Sequence, residues 1–399
     1  MNQPLLFETP RSDQITPIHG IYIHIPFCRH ICPFCSFAVI KNDPSRQTLY
    51  LDLLKREFEL LKQSFEFDFS QVESIYLGGG TPSVLKLSVL KSLVKWLRSR
   101  FLKAASCEFS LEVNPEDVTD KRMDNYYQLG INRISLGLQS FSKSSLKILE
   151  RKQAKKNFFS GLERMHQAGF KNINLDFLIG YPSQSYKSFL EDMNHFTGMR
   201  PEHLSLYILN IEPRTKAFKR PDWQEWQNKN EPLIQRMYLK AVDALEKSGL
   251  KQYEVSNFSR AGFESKQNLC NWNGKNYLGM GMGAHSYTGD QRWGNHKRWV
   301  DYKNAVNNNL LPREFTEKIN ASKKRDEKLM IGLRLNKGID LDKWLKENKA
   351  EPTAGFYRFM ENLIKNAMAE KKGNYFALTP TGMLLADEIA ATLASSCKG

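Results

Sequence analysis

Ile21-Tyr22-Ile23-His24-Ile25-Pro26-Phe27-Cys28-Arg29-His30-Ile31-Cys32-Pro33-Phe34-Cys35 sets a short apolar run against three cysteines spaced Cys-x3-Cys-x2-Cys. The run has the length and β-branched content of a buried strand, and Pro26 ends it. The other cysteines, Cys107, Cys270 and Cys397, are solitary. A disulfide framework would spread paired cysteines over a small secreted domain. Three neighbouring thiols instead point to one metal centre in a reducing compartment, and so to a cytoplasmic protein. Zinc sites usually draw four ligands from two separated pairs, and no second pair stands near Cys28, Cys32 and Cys35. A 4Fe–4S cubane needs a ligand on each iron and thiolates suit it, so three cysteines leave one iron open to an external ligand. Buried structural cysteines or an incomplete zinc site are the blander alternatives.

Working outward, apolar runs recur at Val72–Leu77, Glu108–Val113, Arg133–Leu138, Ile173–Leu178 and His203–Leu209, separated by stretches with helical spacing such as Leu49, Leu53, Leu54, Phe58 and Leu61. Strand–helix–strand repetition means βαβ units, a parallel sheet and right-handed crossovers. Six such strands fall short of the roughly eight of a closed barrel. The expected fold is α/β, a partial (β/α)6 barrel open on one side. Ligands of such folds sit at the carboxyl ends of the strands. Here those ends carry Cys28, Gly78-Gly79-Gly80-Thr81-Pro82, Glu112 with Asn114-Pro115-Glu116, Gly137 and Gln139, Asn174 and Asp176, then Asn210 and Glu212. A core alone does not account for that polar succession.

The expected division is an N-terminal extension over 1–19, the barrel over 20–215, an extension of the core over 216–318, and a basic helical or winged-helix-like domain over 319–399. Asp222–Gly249 reads as helical. Leu278–Ser286 is glycine-rich, and a last helix is expected over Met383–Leu393. The chain has 399 residues and is 41% hydrophobic and 25% charged, which excludes global disorder. No apolar run approaches the roughly 18–20 residues that span a bilayer, and Pro4, Glu8, Pro10 and Asp13 stand where a signal peptide would be basic and then apolar. Lys and Arg outnumber Asp and Glu by 58 to 43, a net charge of +15. Such a field draws phosphates, carboxylate-rich small molecules or an anionic membrane surface; a solvated basic face explains it equally well.

Several further motifs narrow the reading. Tyr22–Cys28, Gly78–Ser83, Arg133-Ile134-Ser135-Leu136-Gly137-Leu138-Gln139-Ser140-Phe141, Asn174-Leu175-Asp176, Ser205-Leu206-Tyr207, Tyr253–Phe258 and Gly281–Ser286 resemble the oxygen-independent coproporphyrinogen III oxidase family of radical S-adenosylmethionine (SAM) enzymes, closest to its haem-chaperone (HemW-like) branch. The resemblance runs from about residue 20 to residue 390. It implies a 4Fe–4S cluster on Cys28, Cys32 and Cys35, with SAM on the open iron and cleavable to a 5′-deoxyadenosyl radical. It places Tyr22, Phe34, Gly79 and Glu112 against that SAM. It places Gly80, Thr81, Gln139, Arg151 and Asp176 where the oxidases hold a second SAM. Glycines let backbone approach a ligand, carboxylates accept from amino or ribose groups, and Arg151 can pair with a carboxylate. A plain strand-to-helix turn at Gly78–Gly80 and strand-end ion pairs at Glu112 and Asp176 are the bland alternatives.

Departures from the pattern select the branch. The oxidases carry a fourth cysteine two residues after the third; here that position is Phe37. The chaperone branch also lacks it, which favours haem binding and transfer over radical decarboxylation of propionates. That branch carries an HNxxYW stretch implicated in haem binding. Here it is Gln267-Asn268-Leu269-Cys270-Asn271-Trp272, so Gln267 stands for the histidine. Glutamine is a poor iron ligand beside imidazole or thiolate. Cys270 and His285 are therefore the haem-ligand candidates, against a buried inert thiol and a structural histidine. Gln153 departs too, where the family usually has histidine. Expected partners are haem or a porphyrin, a haem-acceptor protein, an electron donor and a peripheral membrane contact. Nucleic acid is disfavoured, since the tail has no interleaved aromatic and basic platform.

Overall fold

The computed structural model describes residues 15–102, 106–151 and 156–398. Gln153 and residues 1–14 of the expected N-terminal extension lie outside them. The six expected strands form as β1 (Gly20–Ile25), β2 (Ser74–Gly79), β3 (Glu108–Val113), β4 (Arg133–Gln139), β5 (Ile173–Ile179) and β6 (His203–Ile208). Each pairs in parallel with the next: Gly20 lies opposite Ser74, Ser74 opposite Glu108, Ser110 opposite Arg133, Ile134 opposite Ile173, and Asn174 opposite His203. β1 to β5 are buried along most of their length because helices cover the outer face and side chains fill the inner one. The covering helices are α1 (Arg46–Ser64), α2 (Leu87–Phe101), α3 (Asp120–Gln128), α4 (Lys156–Gln167) and α5 (Tyr186–Met199). α1 turns Leu53, Leu54, Phe58 and Leu61 inward, and α2 turns Leu90, Leu93, Val94 and Leu97, the 3–4 spacing of an amphipathic helix.

The sheet is wider than six strands. It holds 12. Beyond β6 run the antiparallel β7 (Lys251–Glu254) and β8 (Asn257–Ser259). On the other side β9 (Tyr277–Met280) lies parallel to β1, with Tyr277 opposite Gly20, followed by antiparallel β10 (His285–Tyr287), β11 (Gln291–Asn295) and β12 (Arg313–Lys318). The glycine-rich stretch is thus a strand, a turn and a strand. Asp222–Gly249 is two helices, Pro221–Lys229 and α6 (Glu231–Lys247), because Pro232 has no amide hydrogen to continue the first. α7 (Lys266–Trp272) follows β8.

From Ala321 onward a second core gathers Leu329, Trp344, Phe356, Leu363, Phe376 and Leu393. Its helices include α8 (Ala321–Leu333), α9 (Ala354–Lys365) and α10 (Ala386–Ser395), with a hairpin of β13 (Ala369–Lys372) and β14 (Tyr375–Leu378), a helical unit with one small wing. It is tied to the barrel through backbone bonds from Val255 N to Arg334 O (2.9 Å) and from Asn336 N to Tyr253 O (3.0 Å). Part of its positive charge is paired: Lys323 with Glu317 at 2.7 Å, Lys328 with Glu347 and Arg334 with Asp387, each at 2.5 Å. Among the described residues no helix is long and apolar enough to cross a membrane.

Candidate functional site

The carboxyl ends of β1 to β6 open into a cavity of about 410 Å³. Its lining includes Cys28, Cys32, Phe34, Cys35, Gly79, Gly80, Thr81, Glu112, Gln139, Arg151 and Asp176. Every candidate residue for cluster and SAM is therefore gathered in one place, Tyr22 excepted. Tyr22 lies beside the lining, opposite Tyr76 in the strand register and so on the same inner face. Its ring stacks on Tyr76 at 6.1 Å and its hydroxyl donates to His24 Nδ1 at 3.2 Å. That direction holds because burial lowers the His24 pKa to about 4, leaving a neutral ring whose Nε2–H donates to Ala38 O at 2.8 Å.

The cysteine loop is anchored on both flanks. Arg29 makes a bidentate pair with Asp117 (2.8 and 2.5 Å), and Ser83 Oγ donates to the same carboxylate at 2.7 Å. On the far side Ala217 N donates to Pro33 O at 2.8 Å. Cys28, Cys32 and Cys35 are all free thiols. Burial pushes Cys28 up to about 11 and raises Cys35, while the nearby Arg151 guanidinium works in the opposite direction on both. Thr81 Oγ1 donates to Cys28 Sγ at 3.5 Å. Two glycines make room. Gly79 has φ +107°, and a Cβ there would lie 2.5 Å from the His24 ring; one on Gly80 would lie 3.0 Å from Cys28 Sγ and 2.8 Å from Ile25 O.

Two carboxyls face the cavity from adjacent parts of the wall. Glu112 accepts from Tyr76 Oη at 3.0 Å and from Gly79 N at 3.1 Å. Burial, and then the charge of Asp176, raise its pKa to about 7. Asp176 accepts from Asn174 Nδ2 at 2.8 Å; burial raises it to about 6, with Asn174 and Arg133 opposing. Such a pair favours a cationic ligand, which would ionise both. Arg151 donates from Nη1 to Asn114 Oδ1 at 3.2 Å, and its buried Nε has no hydrogen-bond partner among the described residues. An unpaired guanidinium edge suits a carboxylate. Three thiols on an anchored loop, two carboxyls and an open arginine edge fit a thiolate-held cluster beside an amino-acid ligand.

Phe37 lies at the mouth and is 65% exposed, facing solvent where a fourth sulfur would stand. Tyr207 and Ile208 are exposed on the opposite lip. The chemical part of the lining that sequence reading did not assign includes Tyr76 and Ser135. Both sit on strands at the inward-facing parity of Glu112 and Asp176, which was the available signal. The haem-ligand candidates lie apart from the cavity. Cys270, 2% exposed, sits on α7 at the amino ends of the strands, beside Gly20, and burial pushes its thiol up to about 12. Gln267 on the same helix accepts from Ser74 Oγ at 2.9 Å. His285 sits on β10 with its ring edge-on to Phe315 at 5.5 Å, and burial lowers its pKa.

Residues 22–196 match the model of the Radical SAM superfamily. A "Heme chaperone HemW" of Bacillus subtilis (strain 168) is 31% identical over 372 residues, which are 92% of this chain and 97% of that protein. A relative with the same description from Lactococcus lactis subsp. lactis (strain IL1403) is 33% identical over 83% of this chain and 85% of its own. Among solved structures, the coproporphyrinogen III oxidase HemN of Escherichia coli superposes on 96% of this chain and 91% of its own with a TM-score of 0.78. At 22% identity that likeness is one of fold. Radical SAM membership implies a 4Fe–4S cluster and SAM as the cofactor pair, and the cavity's donors fit both. By its fold, its cysteine loop and its likeness along nearly its whole length, the chain belongs to the HemW family of radical SAM proteins.

Proposed function

We propose that this chain is a haem chaperone: it binds haem and passes it to an acceptor protein, in the cytoplasm, with a cluster and SAM held in the cavity. Phe37 carries the reading. The cavity keeps the three-thiol loop and the SAM-type lining, yet presents an exposed aromatic ring where the decarboxylating oxidases have a fourth cysteine. When bound, the cluster and SAM supply one-electron and radical chemistry. The protein's own residues hold and orient. Cys28, Cys32 and Cys35 ligate, Glu112 and Asp176 meet the amino and ribose groups of SAM, and Arg151 meets a carboxylate.

Haem titration of the anaerobically reconstituted protein tests this. We expect a shifted Soret band saturating near one haem per chain, with no decarboxylation of coproporphyrinogen III. If Cys270 is the axial ligand, Cys270→Ala abolishes that band; if the band persists unchanged, His285→Ala is the next variant. A chain that retained no haem would end the chaperone reading. Turnover of coproporphyrinogen III would replace it with the oxidase one, for which the second-SAM positions Gly80, Thr81, Gln139, Arg151 and Asp176 all line the cavity.

The carboxyls give a pH signature. Glu112 ionises at about 7 and Asp176 at about 6, and the ionised forms attract the ammonium and sulfonium of SAM. Protonation competes with binding, so affinity is lost as pH falls. SAM affinity is expected to weaken at least about tenfold between about pH 7.5 and about pH 5.5, read by equilibrium dialysis. In the Asp176→Asn variant the part of the loss centred near the lower pKa disappears.

A further inference from the structure

The inner face of the barrel is polar well below the cavity. Asn174, His203, Ser205 and Glu254 are buried there, and Arg133 is 2% exposed. One line of hydrogen bonds runs through these residues from the cavity to the opposite end of the strands. Asn174 Nδ2 donates to Asp176 Oδ1 (2.8 Å) and to Ser135 Oγ (2.7 Å). This fixes the amide: its Oδ1 is the acceptor facing His203 Nδ1 at 2.6 Å. His203 is neutral, because it is fully buried and faces the Arg133 guanidinium. Its proton therefore sits on Nδ1, and Nε2 accepts from Tyr253 Oη at 2.9 Å. Tyr253 Oη in turn accepts from Ser265 N at 3.3 Å. Ser265 caps α7, its side chain accepting from Asn268 N.

The polarity of this chain is uniform. Each donor points away from α7 and toward the Asp176 carboxylate, so each bond strengthens the next. α7 is the helix that bears Gln267, Cys270 and Trp272. It has a second, separate anchor: Lys266 N donates to Glu108 Oε2 at 3.3 Å, and Glu108 lies 4.0 Å from Arg133 Nε.

We infer that Asn174, His203 and Tyr253 are positioning residues for Asp176, and that through them α7 responds to what occupies the cavity. The inference rests on the proposal that Asp176 contacts bound SAM. A cation beside Asp176 draws on the carboxylate that the chain terminates on, and the Asn174, His203, Tyr253 and Ser265 bonds readjust together. Coupling of this kind is reciprocal, so the state of α7 equally sets how Asp176 is held. A segment bearing a haem-ligand candidate would in this way be informed of SAM at the far end of the barrel.

Hydrogen exchange on the cluster-loaded, full-length protein, with and without SAM, tests the relay. SAM is expected to slow exchange across residues 262–273 at least about fivefold. Tyr253→Phe removes one hydroxyl and keeps the ring; it should erase that response while SAM still binds within about tenfold of wild type. His203→Gln offers an amide donor to Asn174 and an acceptor to Tyr253 and should preserve the response, whereas His203→Leu should abolish it. A merely structural histidine would lower the melting temperature of His203→Leu without erasing its SAM-dependent difference in exchange. Wild-type holoprotein that binds no SAM would remove the ligand reading on which the relay rests. SAM binding with unchanged exchange over 262–273, or an undiminished response in Tyr253→Phe, would overturn the relay and leave that reading standing.

Discussion

Cys28→Ala is expected to abolish cluster incorporation outright, with iron and acid-labile sulfide near zero per chain after anaerobic reconstitution and no broad charge-transfer absorption. Cys28 is the most buried of the three thiols, and Thr81 Oγ1 and the bare Cα of Gly80 are already fitted around its sulfur. A cubane needs a ligand on each iron, and the other cysteines cannot stand in. Cys107 and Cys270 are buried on other parts of the barrel, and Cys397 is at the chain's far end. The loop itself should survive the substitution. Its anchors are the Arg29–Asp117 pair and the Ala217–Pro33 backbone bond, neither of which involves sulfur. Circular dichroism and thermal melting of the variant should therefore match the unreconstituted wild type. A Cys28→Ala protein that still took up a full complement of iron and sulfide would refute the assignment of the site.

The largest effect on stability is expected from Glu57→Ala. Glu57 is a buried carboxyl on α1 that joins the barrel wall to the region around β9, β10 and β11. It accepts from Tyr302 Oη at 2.7 Å, from Gly281 N at 2.8 Å and from Asn295 Nδ2 at 2.6 Å. Alanine would strand three buried donors and leave a void, each donor costing about 1–3 kcal/mol, so a loss of about 3–5 kcal/mol is expected in urea unfolding. Burial raises the Glu57 pKa from an ordinary 4.5 to about 7. The folded chain thus holds that proton more tightly than the unfolded one. This group's contribution to stability is complete below about pH 4.5 and is lost as pH rises through 7, amounting to roughly 3 kcal/mol. Glu57→Gln keeps the acceptor for Tyr302 and Gly281 and has nothing to ionise. Its stability should lack that decline between pH 5 and pH 9. An identical pH profile for wild type and Glu57→Gln would show that Glu57 is not the group responsible.

Much of the site was legible in the chain because its signals are local. The spacing of Cys28, Cys32 and Cys35, the Gly78–Thr81 run at a strand end and the polar residues following each strand are short-range patterns. The βαβ repeat alone dictates that all strand ends point the same way. Phe37, read as a departure from a pattern, stands at the cavity mouth. Tyr22 shows the limit of such reading: its place in a motif does not say what its ring and hydroxyl meet, which are Tyr76 and His24 on the same inner face.

What the sequence determined by itself is therefore the barrel, the thiol loop and most of the cavity wall, since these follow from periodicity and neighbours within a few residues. Only the tertiary structure decided that Tyr277–Met280 pairs beside β1, that Glu57 is met by Gly281, Asn295 and Tyr302, and that α7 with Gln267 and Cys270 lies at the end of the strands opposite the cavity. The same holds for the line from Ser265 through Tyr253, His203 and Asn174 to Asp176. These contacts join residues that are in most cases dozens to hundreds of positions apart. Each exists because a buried polar group must find a partner once the surrounding apolar surface has packed, and no local pattern in a chain names that partner.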